Sequence, residues 1–148
     1  MRVDVSTELD CSAAKAWEAV QTSALLLAVT APLARITPVD APCFPERWSQ
    51  GLTVRCRSFI FGIIPIGIRT LHFERVDGAA YEIATREHDP LVKQWDHRIS
   101  IKPLGDDQAA YRDIIDIDAG ALTLIVWAWA YWFYRHRQSR WRAIAKRL

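Results

Sequence analysis

Residues 119–134 read AGALTLIVWAWAYWFY and contain no charged residue, whereas residues 135–148, RHRQSRWRAIAKRL, contain six Lys or Arg and no acid. A membrane-spanning helix needs about 20 predominantly apolar residues. The uncharged segment is shorter than that, contains Gly120 and is rich in Trp and Tyr. The pattern therefore predicts one long C-terminal helix that lies in the core of a small domain and has a basic end in water. An interfacial membrane helix stays open as an alternative, because lipid headgroups also select aromatic residues followed by Arg.

The composition is typical of one globular domain. The chain has 148 residues, 51% hydrophobic and 24% charged, which is enough for a hydrophobic core. Residues 1–134 contain 13 Lys or Arg against 17 Asp or Glu, so basic residues do not spread over a nucleic-acid-binding surface. Cys11, Cys43 and Cys56 are odd in number and far apart, which supports neither a disulfide framework nor a zinc site. No apolar leader follows Met1, so we expect a cytoplasmic protein.

The first thirty residues predict a strand and two short helices. Residues 2–9 alternate between apolar and polar side chains, as in a half-buried strand. Ser12 is a plausible N-cap for a first helix, whose apolar stripe would contain Ala13, Trp17 and Val20. A second helix, capped by Thr22 or Ser23, must end at Pro32.

The middle of the chain predicts consecutive strands. An extended loop with three prolines, Pro38, Pro42 and Pro45, runs to Arg47. Strands are then predicted at 51–61, 66–76, 79–89, 93–103 and 109–118, separated by turn residues at Gly62–Pro65, Asp77-Gly78, Asp89-Pro90 and Gly105–Asp107. This order is an α+β plan, in which a curved antiparallel sheet of about six to seven strands wraps around the one long helix.

Two segments carry a resemblance to a known family: QWDHRISI (Gln94–Ile101) and FYRHRQSRW (Phe133–Trp141). Together with the element order, they resemble the START/Bet v 1-like superfamily, also called SRPBCC or polyketide cyclase/dehydrase-like, which has the helix-grip fold. The resemblance covers nearly the whole chain, so residues 1–148 are expected to form a single domain. It implies a hydrophobic cavity between the sheet and the last helix. The superfamily includes both carriers and enzymes, and the fold does not choose between them.

The last two strands predict a buried polar pair. A turn centred on Gly105 would place Trp95 opposite Ile115, His97 opposite Asp113, Ile99 opposite Tyr111 and Ile101 opposite Ala109. His97 and Asp113 would then lie side by side on the inner face. A carboxylate orients the tautomer of an imidazole, which is half of a general-base arrangement. We favour the alternative that they only satisfy each other, because no nucleophile accompanies them.

The remaining inner residues come from the neighbouring strands and the last helix. Phe73 faces inward if the Asp77-Gly78 loop has three residues, whereas a two-residue loop would send Thr70, His72 and Glu74 inward. On the last helix a stripe is predicted to face the sheet: Leu122, Val126, Trp129, Phe133, His136 and Ile144. The predicted ligand-binding residues are Phe73, Tyr81, Thr85, Trp95, His97, Ile99, Tyr111, Asp113, Val126, Trp129 and Phe133. Such a lining suits a largely apolar ligand with one or two polar groups, and a filled core is the alternative.

Three surface features have open interpretations. The opposite side of the last helix is predicted to contain Leu124, Trp127, Tyr131 and Tyr134, which would pack within the chain, form a homodimer or contact a membrane. The basic tail is either solvated or meets lipid headgroups or acidic partners, since the helix dipole accounts only for its last turn: Arg135, Arg137, Arg140, Arg142, Lys146 and Arg147. Residues 58–67, SFIFGIIPIG, form either a lid at a cavity mouth or a buried sheet corner.

The sequence thus predicts binding of a hydrophobic small molecule or lipid. By the resemblance, the alternative is an aromatase/cyclase-like enzyme acting on a polyketide-like substrate, in which His97 and Asp113, with Tyr81 or Tyr111, would transfer protons. A membrane- or protein-docking adaptor is the third hypothesis. His72, His88, His97 and His136 lack companions at metal-ligand spacing, so no metal is predicted. Phosphate-binding loops and dinucleotide fingerprints are absent, so no cofactor and no nucleic-acid partner are expected.

Overall fold

The computed structural model describes residues 1–148 and shows a seven-stranded sheet with three helices. The strands are β1 (Arg2–Leu9), β2 (Ala34–Pro38), β3 (Thr53–Ile60), β4 (Ile64–Asp77), β5 (Glu82–His88), β6 (Gln94–Gly105) and β7 (Gln108–Asp118); the helices are α1 (Ala13–Val20), α2 (Ser23–Thr30) and α3 (Thr123–Ala145). All neighbouring strands are antiparallel, in the order β1-β7-β6-β5-β4-β3-β2. The predicted α+β helix-grip fold is confirmed. None of the helices is long and apolar enough to cross a bilayer.

The short helices begin where their caps predict. The Ser12 hydroxyl accepts a hydrogen bond from the Lys15 backbone N–H at 3.3 Å, and the Thr22 hydroxyl accepts one from Leu25 at 3.2 Å. These bonds satisfy N–H groups that have no partner inside the helix. Thr22, rather than Ser23, is therefore the cap of α2. Strand β2 was not predicted, because this five-residue edge strand has no alternation of buried and exposed residues.

The predicted pairing of β6 with β7 is wrong by two residues. His97 lies opposite Ile115 and Ile99 opposite Asp113, because the loop consists of Asp106 and Asp107 and the ladder is irregular at Leu104. Side chains alternate with a period of two, so an even shift leaves every residue on its predicted face. The inner face is consequently as expected, although each cross-strand partner is different.

The β4–β5 connection matches neither predicted loop. It has four residues, Gly78–Tyr81, and its left-handed residue is Tyr81, with φ 54°, rather than the glycine. Leu71 and Phe73 are buried, as the three-residue alternative required. Tyr81 is not an inward strand residue: it stacks on Trp17 at 5.5 Å between ring centroids, beside the end of the sheet.

The buried face of α3 differs from the predicted stripe. The buried residues are Ala130, Tyr134, Arg137, Gln138, Trp141 and Ala145, and the helix packs along β1, β7 and α2. Tyr134, predicted to lie outside, is only 2% exposed, whereas Leu122, predicted to lie inside, is exposed. The prediction followed the bulkiest apolar side chains, but burial here follows contact with β1, β7 and α2, which covers Arg137 and Gln138 together with Tyr134 and Trp141.

Apolar side chains are exposed at one end of the sheet. The antiparallel pairings bring the β3–β4 hairpin, the β5–β6 loop and the start of α3 to this end. We call its exposed residues the apolar rim: Phe61, Ile63, Ile64, Leu91, Leu122, Leu124, Ile125, Tyr131 and Trp132. Ile63 at the hairpin tip is 77% exposed, so the interpretation of residues 58–67 as a buried corner is wrong. Within the rim, Phe61 packs edge-on against Trp132.

Candidate functional site

A cavity of about 150 Å³ lies between the sheet, α2 and α3, and its lining is mostly hydrophobic. Protein interiors rarely leave voids larger than a water molecule, and an apolar cavity of roughly this volume can bind benzene. Nine of the predicted residues line it: Phe73, Thr85, Trp95, His97, Ile99, Tyr111, Asp113, Trp129 and Phe133. Tyr81 and Val126 do not, because Tyr81 belongs to the β4–β5 turn and Val126 packs beside the buried Trp95 cluster.

Asp113 on β7 is the centre of a buried hydrogen-bond network. Its side chain is 1% exposed. Oδ1 accepts hydrogen bonds from His97 Nε2 at 2.8 Å and from the Tyr111 hydroxyl at 3.0 Å, and Oδ2 accepts one from Gln138 Nε2 at 3.0 Å. Gln138 also donates to the Val5 carbonyl, which ties α3 to β1. The diagonal placement of His97 and Asp113 thus brings them within hydrogen-bond distance despite the corrected register.

This network fixes the charge state of its members. Burial favours the neutral acid, but the hydrogen bond and charge of His97, together with Arg137 and Gln138, lower the pKa of Asp113 below its ordinary value. Burial and the neighbouring Asp113 raise the pKa of Tyr111 well above its ordinary value. At neutral pH, Asp113 is therefore an anion and Tyr111 a neutral donor. The contact of an anionic Asp113 with His97 requires a hydrogen on His97 Nε2.

A second polar group lies on the β4–β5 side of the cavity and was missed. Arg69 donates from Nη2 to Asp89 at 2.6 Å and from Nη1 to Glu87 at 3.3 Å, with its Cζ 4.5 Å from the centre of a Trp95 ring. Burial acts against the guanidinium charge, but the two carboxylates raise the pKa of Arg69. The period of two would have placed Arg69 inside once Leu71 was known to be inside.

Arg137 and Trp141 on α3 were also missed. Arg137 is 9% exposed and lies over the Tyr134 ring, with its Cζ 4.8 Å from the ring centre. It takes part in none of the ion pairs, and its Nε has no hydrogen-bond partner. The Trp141 Nε1 is likewise buried without a partner. The prediction that residues 135–148 form a basic end in water is therefore wrong for Arg137, which spacing alone could not separate from its exposed neighbours.

The cavity extends to the apolar rim. Ile60 and Ile66, on either side of the β3–β4 hairpin, line the cavity together with Trp129 and Phe133 of α3. The Trp129 and Phe133 rings stack at 5.9 Å, and Trp129 also packs edge-on against Phe61 of the rim at 5.9 Å. The hairpin and the first half of α3 thus form the wall nearest to this end. No cluster of three or more His, Cys, Asp or Glu side chains is placed to hold a metal ion.

Comparison with solved structures identifies the fold. The chain is similar to the ZhuI aromatase/cyclase from Streptomyces sp. R1128 (15% identity, 99% of this chain and 94% of that chain, TM-score 0.76) and to a START superfamily protein from Mycobacterium smegmatis (18%, 99% and 97%, 0.74). It is also similar to Ara h 8.0201 (10%, 100% and 99%, 0.72). No protein-family model and no curated protein sequence matches the chain. At these identities the likeness establishes a START/Bet v 1-like fold and nothing finer.

Proposed function

We propose that residues 1–148, as one domain, bind a hydrophobic small molecule or lipid in the cavity between the sheet and α3. The observation that supports this proposal is the mostly apolar cavity of about 150 Å³ with polar groups on its wall. An apolar ligand would remove the cavity surface from water at about 25 cal/mol per Å² of apolar area, and the polar groups would orient it. The proposed binding residues are Phe73, Thr85, Trp95, His97, Ile99, Tyr111, Asp113, Trp129 and Phe133. The free cysteines agree with a reducing, cytoplasmic compartment.

Native mass spectrometry of protein purified from its own host tests this proposal. We expect an added mass that is released on unfolding and is extracted as an apolar compound. The test variant is Ser58→Phe, in which the ring would fill the cavity. The matched control is Ser100→Phe, on the outer face of β6. The added mass should vanish only in the first variant. A ligand-free wild-type protein that also fails to bind any fatty acid or apolar dye would contradict the proposal.

A second candidate function is an aromatase/cyclase-like reaction on a polyketide-like substrate. The observation that favours it is the His97–Asp113–Tyr111 network in the cavity wall, which joins an imidazole, a carboxylate and a phenol by hydrogen bonds. Of the two tyrosines that could donate a proton, only Tyr111 lines the cavity, because Tyr81 lies outside it. Exchange of the α-protons of a β-keto ester into deuterated water, followed by NMR, tests it. Wild type should exceed His97→Gln by roughly 100-fold or more, and equal rates would eliminate this candidate.

A third candidate is membrane contact through the apolar rim and the outer face of α3. Tyr131 and Trp132 are exposed, Arg135 lies 5.9 Å from the Tyr131 ring, and α3 contains no acidic residue. Apolar side chains beside basic ones are what an anionic bilayer surface binds. Tyr134 was predicted to belong to this surface, but it is buried and does not. Trp127 donates a hydrogen bond from its Nε1 to the Arg2 carbonyl, so it is attached to β1. Sedimentation separates this candidate from a homodimer through the same surface.

A further inference from the structure

We infer that the ligand is a hydrophobic acid whose carboxylate is bound by Arg137 and Trp141 of α3. This inference rests on the proposed binding function and adds the chemical class of the ligand. Its basis is a pair of residues that line the cavity, each of which contains a buried donor without a partner: the Nε of Arg137 and the Nε1 of Trp141. They are the only two buried side-chain nitrogen or oxygen atoms in the molecule that lack a hydrogen bond.

Both atoms are hydrogen-bond donors, so a ligand group that pairs with them must be a hydrogen-bond acceptor. Guanidinium and indole N–H groups have no acceptor capacity. A hydroxyl or amine on the ligand would therefore serve them less well than an oxygen with no hydrogen of its own. Residues four apart on a helix lie on the same face, so Arg137 and Trp141 are neighbours in the cavity wall. Two adjacent donors match the two oxygens of one carboxylate.

The charge of Arg137 selects an anion. A guanidinium taken out of water without an ion-pair partner is strongly unfavourable, and a cation–π contact such as the one with Tyr134 offsets only part of that loss. Asp113 acts on Arg137 through its charge, but its two oxygens already accept hydrogen bonds from His97, Tyr111 and Gln138. The other buried arginine, Arg69, is paired with both Glu87 and Asp89. Arg137 is thus the one cavity arginine that still lacks a carboxylate.

The rest of the cavity accounts for the hydrophobic body of the acid. Above the α3 donors the lining is aromatic and aliphatic, and it runs toward the apolar rim past Trp129 and Phe133. A ligand bound with its carboxylate at Arg137 would place its apolar chain along this wall. The negative charge would be buried against a donor pair whose dehydration has already occurred on folding, which favours the acid over a neutral analogue.

Calorimetric titration with decanoic acid and decanol at neutral pH tests the inference. Wild-type protein should bind decanoic acid roughly ten- to a hundred-fold more tightly than decanol, because hydrogen bonds to charged groups are the strong ones. Arg137→Met keeps an apolar side chain of similar length but removes the charge. We expect it to abolish the preference for the acid by weakening the binding of decanoic acid. The matched control is Arg135→Met, which removes an exposed arginine from the same helix and should keep the preference.

The outcomes separate this inference from the proposed function. If wild type binds decanol and decanoic acid equally, or if Arg137→Met keeps the preference for the acid, the inference is overturned while the binding cavity stands. If neither compound binds, the proposed function fails with it. Thermal unfolding gives a second readout: saturating decanoic acid should raise the melting temperature of wild type more than that of Arg137→Met. Equal increases in the two proteins would overturn the inference.

Discussion

The two halves of α3 differ in a way that their compositions do not predict. The uncharged half leaves Leu124, Ile125 and Trp132 exposed, whereas the basic half buries Arg137, Gln138 and Trp141. Burial along the helix depends on what lies opposite each residue. The second half contacts both β1 and α2, whereas the first half contacts β1 on one side and is exposed on the other, at the apolar rim. Each half therefore contains groups that the rest of the chain does not satisfy, apolar surface in the first and a buried cation in the second.

The largest expected effect comes from truncating one tryptophan in each half. Trp141→Ala should lower the free energy of unfolding by about 3 to 5 kcal/mol, since it leaves a cavity in the core beside Tyr111. Trp132→Ala should change it by less than about 1 kcal/mol, because this side chain is 49% exposed. Urea unfolding of both variants measures the contrast. Equal losses would mean that the two halves are equally covered.

The second effect concerns the stability provided by Asp113, which accepts a hydrogen bond from Gln138 in the second half of α3. Asp113→Asn should destabilise the protein by about 3 kcal/mol at neutral pH, because one partner of a buried charged network is lost. The folded-state pKa of Asp113 is lowered from 3.8, so its contribution is complete above that value and disappears as the pH falls through the folded pKa. The difference between wild type and variant in urea unfolding should therefore shrink in acid.

The control for this pH dependence is Asp107→Asn in the β6–β7 loop. Asp107 is exposed and makes no side-chain hydrogen bond, so its replacement should leave the acid limb unchanged. A difference between wild type and Asp113→Asn that stays constant down to acid pH would show that the Asp113 charge does not stabilise the fold.

The third effect concerns the exposed first half and its rim. Ile63→Ser should weaken binding to vesicles that contain phosphatidylserine by roughly tenfold, since burying an Ile side chain contributes about 1.5 to 3 kcal/mol. Leu104→Ser is the matched control, because Leu104 is also exposed, at 53%, but lies at the opposite end of the sheet. Vesicle co-pelleting at low salt measures both. Equal binding of the two variants would show that the apolar rim does not contact the membrane.

The smallest effect tests the basic residue nearest the rim. Arg135→Gln should weaken binding to the same vesicles by about fivefold, at about 1 kcal/mol per basic residue near an anionic surface, and added salt should reduce the difference. Arg98→Gln, on the outward face of β6, serves as the control and should bind as wild type does. If both variants lose affinity equally, the attraction reflects net charge rather than a defined face.

The sequence predicts the architecture better than the site. Alternation in β6 and β7 places Trp95, His97, Tyr111 and Asp113 on the inner face even though the predicted register is wrong, because an even shift preserves facing. The rotation of α3 is not predictable from its own residues, since nearly all of its first half is apolar and no single stripe stands out. Arg137 and Tyr134 were misplaced for that reason. Tyr81 was misplaced because a non-glycine residue occupies the left-handed position of its turn.

The most direct test of the central claim is a calorimetric titration of wild type, Ser58→Phe and Ser100→Phe with decanol. Decanol needs no anion-binding group, so its binding depends on the cavity alone. The account predicts saturable binding at one site in wild type and in Ser100→Phe, and none in Ser58→Phe, where the added ring occupies the cavity. Absence of saturable binding in wild type, or equal binding in all three proteins, would contradict it.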